Sequence, residues 1–136
     1  MANAIVTDLR AKSDAAWANL TRQLQGMEPH LDRAFSSHDL PLSETTPGQS
    51  NVAPERQKMT LKQLLEALDA QRREVLEHLE GLSEADLQAR KARIPFLKQF
   101  LGTDEIALAR YAGLLFDVHW NEHAGQLAKI RKAVGL

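Results

Sequence analysis

The 136-residue chain contains no cysteine. That excludes a disulfide framework, a thiol nucleophile and a thiolate metal site, so any metal must be held by imidazole, carboxylate, amide or water. Charge of one sign is missing too: 17 basic side chains against 18 acidic ones leave a formal net charge of −1. Such a chain carries no electrostatic footprint for nucleic acid or an anionic membrane. No apolar run approaches the ~18 residues that span a bilayer. The N-terminal MANAIVTDLR lacks the charged start and apolar stretch of a secretory signal. No nucleic-acid or membrane partner is therefore expected, and the expected address is cytoplasmic. Aromatics are few, and Trp17, Trp120, Tyr111 and the four Phe mostly fit apolar faces rather than a base-stacking platform. The seven glycines are scattered at element ends, which excludes a phosphate-cradling loop. No serine stands in a nucleophile-elbow context.

What is present reads as one domain, residues 1–136, with an ordinary balance of 43% hydrophobic and 26% charged residues. The longest helical pattern runs from Thr103 to Lys132. Thr103 suits an N-cap, Asp104 and Glu105 suit the positive end of the helix dipole, and Lys129, Arg131 and Lys132 suit the negative end before Gly135. Ile106, Ala109, Ala112, Phe116, Trp120, Leu127 and Ile130 mark one apolar face, and His119 and His123 are expected on that same face. Four residues apart, the two imidazoles stand one turn above each other and can grip one metal ion from one side. The alternative is a pair of hydrogen-bonded core or edge histidines.

Upstream, Ile5, Leu9, Ala16, Leu20, Leu24 and Met27 predict a first helix over 4–28, stopped by Pro29. Residues 36–59 form a long polar loop with Pro41, Pro47, Gly48 and Pro54. Thr60 and Gln63 make a capping box before a second helix striped by Leu61, Leu64, Leu65, Leu68, Val75, Leu76 and Leu79, closing near Gly81. Glu77 and Glu80 read as solvated acids paired with Arg73 or lysine, and His78 as a boundary residue. Ser83 and Asp86 start a short third helix, and ARIPFLKQFLG bridges to the last one. No stretch alternates with period two, so no sheet is expected. The class is all-α, a helical bundle of three long helices plus short ones.

Two segments together, MTLKQLLEALDAQRREVLEHLEGLSEADLQ and VHWNEHAGQLAKIRKAVGL, resemble the DinB-like superfamily of four-helix bundles. The family's last-helix motif stands here as His119, Glu122, His123, Gln126, Ile130 and Arg131. The resemblance covers roughly residues 50–136. It implies that His119 and His123 are two of three ligands for a divalent metal, nickel or zinc. The third family histidine comes from an earlier helix, and the matching position here is Gln23, a weak neutral oxygen donor. His30 is the candidate third ligand, with His38 beside it in the sequence. Asn121 or Glu122 would be the partner that fixes an imidazole tautomer, and Glu122 reads equally as a surface acid.

The chain is short for that family, since one of the four long helices is absent. A homodimer that covers the underfilled face is therefore expected. The resemblance implies either of two functions. One is a metal-dependent activity that transfers a low-molecular-weight thiol such as mycothiol or bacillithiol, or hydrolyses a small substrate. Relatives of this kind include proteins linked to stress response. The alternative is a non-catalytic dimerisation or small-molecule-binding module with a degenerate metal site.

Overall fold

The computed structural model describes residues 3–31, 33–35, 44–45 and 54–136. Asn3 begins the first long helix, α1 (Ala4–Leu24), its side-chain oxygen accepting from the amides of Ile5 and Val6. The helix buries Val6, Leu9, Ser13, Ala16 and Leu20, alternate steps of three and four that keep one stripe facing inward. It ends four residues short of the expected Glu28. Gly26 turns the chain at φ +78°, a conformation that disfavours other residues, and a single 3₁₀ turn, Glu28–His30, follows. The next elements are β1 (Ala34–Phe35), β2 (Glu44–Thr45) and a one-turn α2 (Pro54–Gln57). Most of the predicted polar loop, including His38, lies outside the described residues.

The second long helix, α3 (Leu61–Glu80), starts on the capping box that the sequence announces. Thr60 accepts from the Gln63 amide, and the Gln63 side chain accepts from the Thr60 amide. Gly81 closes the helix. Ser83 caps the short α4 (Glu84–Ala89) by accepting from the Asp86 amide at 3.0 Å. Of the predicted α3 stripe, Leu76 and Leu79 are buried, Val75 is exposed, and Leu61, Leu64, Leu65 and Leu68 are half-buried.

The beginning of the last helix departs from expectation. After α4 come β3 (Lys91–Arg93), a 3₁₀ turn at Pro95–Leu97, and α5 (Lys98–Leu101), which ends at Gly102 with φ +74°. Glu105–Ala107, expected as the first helical turn, is instead β4, antiparallel to β3 with Ala92 opposite Ile106. Thr103 caps no helix; its hydroxyl accepts from the Glu105 amide and shapes the turn into β4. The ladder places Ile106 in the core and offers the Arg90 carbonyl to the Leu108 amide, one of the donors at the start of α6 (Leu108–Gly113). The pairing partners lie 12 to 16 residues upstream, beyond the reach of a helical-period test. Two short ladders thus form where none is expected, within a fold that is all-α in class.

A π-helical stretch, Leu114–His119, follows α6, and α7 (Trp120–Ala133) completes the third long helix. The Trp120 amide donates to Leu115 O, five residues back. The inward residues here are Ala112, Phe116, Trp120 and Ala124, every fourth one. On an α-helix each four-residue step overshoots a turn by about 40°. The wider π turn absorbs that drift, so the four side chains stay on one line.

α1 is the axis of the bundle. α3 runs antiparallel to it: Arg10 near its start pairs with Glu80, Asp14 with Arg72, and Glu28 beyond its end accepts from the Leu61 amide at 2.7 Å. The last long helix runs parallel to it, with Trp17 against Trp120, Asn19 bonded to Asn121, and Arg131 donating to the carbonyls of Gln23 and Gln25. The main core gathers at the end where α1 begins: Val6, Leu9, Leu76, Leu79, Leu87, Ala112 and Phe116. No helix is long and apolar enough to cross a membrane among the described residues.

Candidate functional site

His119 is the last residue of the π turn and His123 sits one α turn later. Both are exposed, which corrects the expectation that they share the buried face. The inward line passes through Trp120 and Ala124, so each histidine precedes an inward residue and is rotated about 100° away from it. The spacing nevertheless does what the sequence implies. The Nε2 atoms approach to 3.1 Å, and the rings meet edge to face with centroids 4.4 Å apart.

The tautomers follow from the partners. His123 Nδ1 lies 2.9 Å from Gln126 Oε1, which can only accept, so Nδ1 carries the proton and donates. His123 Nε2 is then a lone pair, and His119 Nε2 donates to it. Gln126 therefore performs the tautomer-fixing role expected of Asn121 or Glu122. Its position three residues after His123 was the available signal. Asn121 is committed elsewhere: it accepts from Asn19 at 3.0 Å and donates to the Asp117 carbonyl at 2.5 Å, tying α7 to α1. Glu122 is exposed.

Two nitrogens bound to one metal at roughly 2.0–2.1 Å and separated by 3.1 Å subtend about 100° at it, between cis-octahedral and tetrahedral values. The spacing matches two neighbouring ligands of a divalent ion, a role His119 would take in the tautomer that carries its proton on Nδ1. His30 does not join it. It lies in the 3₁₀ turn beyond the far end of α1, and among the described residues no group of three histidines or acids gathers anywhere. Gln23 offers its backbone carbonyl to Arg131 at 3.0 Å, two turns past His123. His78 is exposed on α3.

A second polar constellation escaped the sequence reading. Arg72, only 10% exposed, lies over the Trp17 ring at 5.4 Å and donates to Ser13 Oγ at 3.2 Å, Asp14 at 2.6 Å and Asp69 at 2.9 Å. Burial pulls its pKa down, but the hydrogen bonds and charges of Asp14 and Asp69 outweigh that, and the net shift is upward. Arg73 also pairs with Asp69 at 3.0 Å, while Glu80 pairs with Arg10 rather than with Arg73. An aromatic line Phe116–Trp120–Trp17 continues to Arg72 and crosses the bundle. Lys12 is also raised, chiefly by its hydrogen bond to Asp8 and then by that carboxylate's charge. This small contribution is present below the ordinary lysine range and lost as pH rises above it.

No family model, curated protein or solved structure matches this chain.

Proposed function

We propose that the protein is a DinB-like helical bundle in which His119 and His123 hold a divalent metal, nickel or zinc. The observation that carries this reading is the convergence of the two Nε2 atoms at 3.1 Å, with Gln126 fixing the proton on the far nitrogen of His123. The donor set fits half a site. The exposed side of the pair leaves the remaining positions to water, a small substrate or a thiol. A bound metal there would hold a thiol as thiolate or acidify a water. The activity class is transfer of a low-molecular-weight thiol or hydrolysis of a small substrate. The exposed histidines bind and orient, and they leave room for an incoming molecule. A second copy of the chain completes the assembly, because the α3 stripe from Leu61 to Leu68 is only half-buried.

The absence of a third histidine or acid among the described residues favours the competing reading, a non-catalytic dimerisation or binding module. Calorimetric titration with nickel and with zinc separates the two. Stoichiometric uptake is expected, abolished in His123→Ala and weakened about 10- to 100-fold in Gln126→Leu. Protein that takes up neither metal would leave the pair as a surface hydrogen bond and the module reading in place.

A further inference from the structure

The two most exposed large apolar side chains of the described protein are neighbours. Phe96 and Phe100 are 63% and 67% exposed, with ring centroids 4.9 Å apart. They cap the turn that joins β3 to β4, at the end of the bundle where α1 begins. Lys98 lies between them in sequence and Lys91 on the adjoining strand; both are exposed, and neither forms an ion pair among the described residues. The tip is thus a convex aromatic knob with unneutralised positive charge.

The opposite end holds a matching depression. Trp17, Leu24, Leu61 and Leu65 line a groove of about 490 Å³ between α1 and α3, with Glu28 and Glu66 at its edge. Lys62, the groove's only basic residue, stands 3.8 Å from Glu66 in a solvent-exposed pair, and Asp69, which also lines it, is already neutralised by Arg72 and Arg73, so Glu28 supplies the surplus negative charge. The balance of the rim is acidic. Along α1 the groove begins at Trp17, about 20 Å from the end that carries the knob, so no molecule fills its own groove.

We propose that the Phe96–Phe100 knob of one copy docks in the Trp17–Leu65 groove of a second copy, Lys98 meeting the Glu28 and Glu66 edge. Because knob and groove occupy opposite ends, two antiparallel copies make the contact twice and close as a two-fold dimer. This rests on the homodimer part of the proposed function and is independent of the metal.

The test is the dimer dissociation constant by sedimentation equilibrium. Phe96→Ser combined with Phe100→Ser removes exposed side chains, so helicity by circular dichroism should be unchanged while dissociation rises by about thirtyfold or more. Lys98→Glu should weaken the dimer, and adding Glu66→Lys to the same chain should restore it. A dimer indifferent to the double serine variant would overturn the docking mode and leave the homodimer standing. A wild-type monomer throughout would remove both. A monomer that sediments with anionic vesicles through Phe96 and Phe100 would assign the knob to a lipid surface and overturn the proposal.

Discussion

At the end of the bundle where α1 begins, Leu76 and Leu79 of α3 are buried among Val6, Leu9, Leu87, Ala112 and Phe116. At the other end, Leu61, Leu64, Leu65 and Leu68 of the same helix repeat the same spacing and stay half-buried. The amphipathic pattern is continuous; what covers it is not. α4 and α6, with Ile106 of β4 beside them, close the first end, and no comparable element among the described residues closes the second. A hydrophobic stripe states which face seeks cover, and burial depends on how many neighbours the topology supplies.

Three substitutions, with Leu76→Ala as a reference, probe this asymmetry, and denaturant midpoints at constant slope are the readout for each. Phe116→Ala strikes the closed end, where the ring is 1% exposed and packs edge to face on Trp120, and should cost about 3–5 kcal/mol. Arg72→Met sits between the two ends. It keeps the packing over Trp17 but takes the donor from the Ser13 hydroxyl, Asp14 and Asp69 Oδ1, while Asp69 retains Arg73, for an expected loss of about 2 kcal/mol. Leu65→Ala at the open end should cost only about 1 kcal/mol in the monomer, because much of the side chain already faces solvent. A Leu65 loss as large as that of Leu76→Ala, measured side by side, would show that the two ends are equally closed.

Much of the fold was legible because its signals are local. The Thr60–Gln63 capping box, the Ser83 cap and the Gly81 stop each involve residues within a turn of each other, and all three stand where the sequence places them. The start of the last helix was not legible, because Glu105–Ala107 takes its conformation from Lys91–Arg93, and a periodicity window sees one segment at a time. The Arg72 network was hidden for the same reason. Asp69 and Arg73 share its helix, but Ser13 and Asp14 come from α1, nearly sixty positions earlier. Half of the candidate site was readable: the four-residue spacing predicts that His119 and His123 meet, and they do. Their exposure was not, since the π turn that ends at His119 resets the phase of the helix.

By itself, then, the sequence determined the all-α class, the three long helices, both caps of the second and the meeting of the two imidazoles, all set by interactions within about four residues along the chain. Tertiary structure alone decided which end of the stripe is covered, which way the histidines face and what Arg72 holds. Each of those depends on the direction in which a distant element packs against α1, and no residue encodes that direction through its neighbours in the chain.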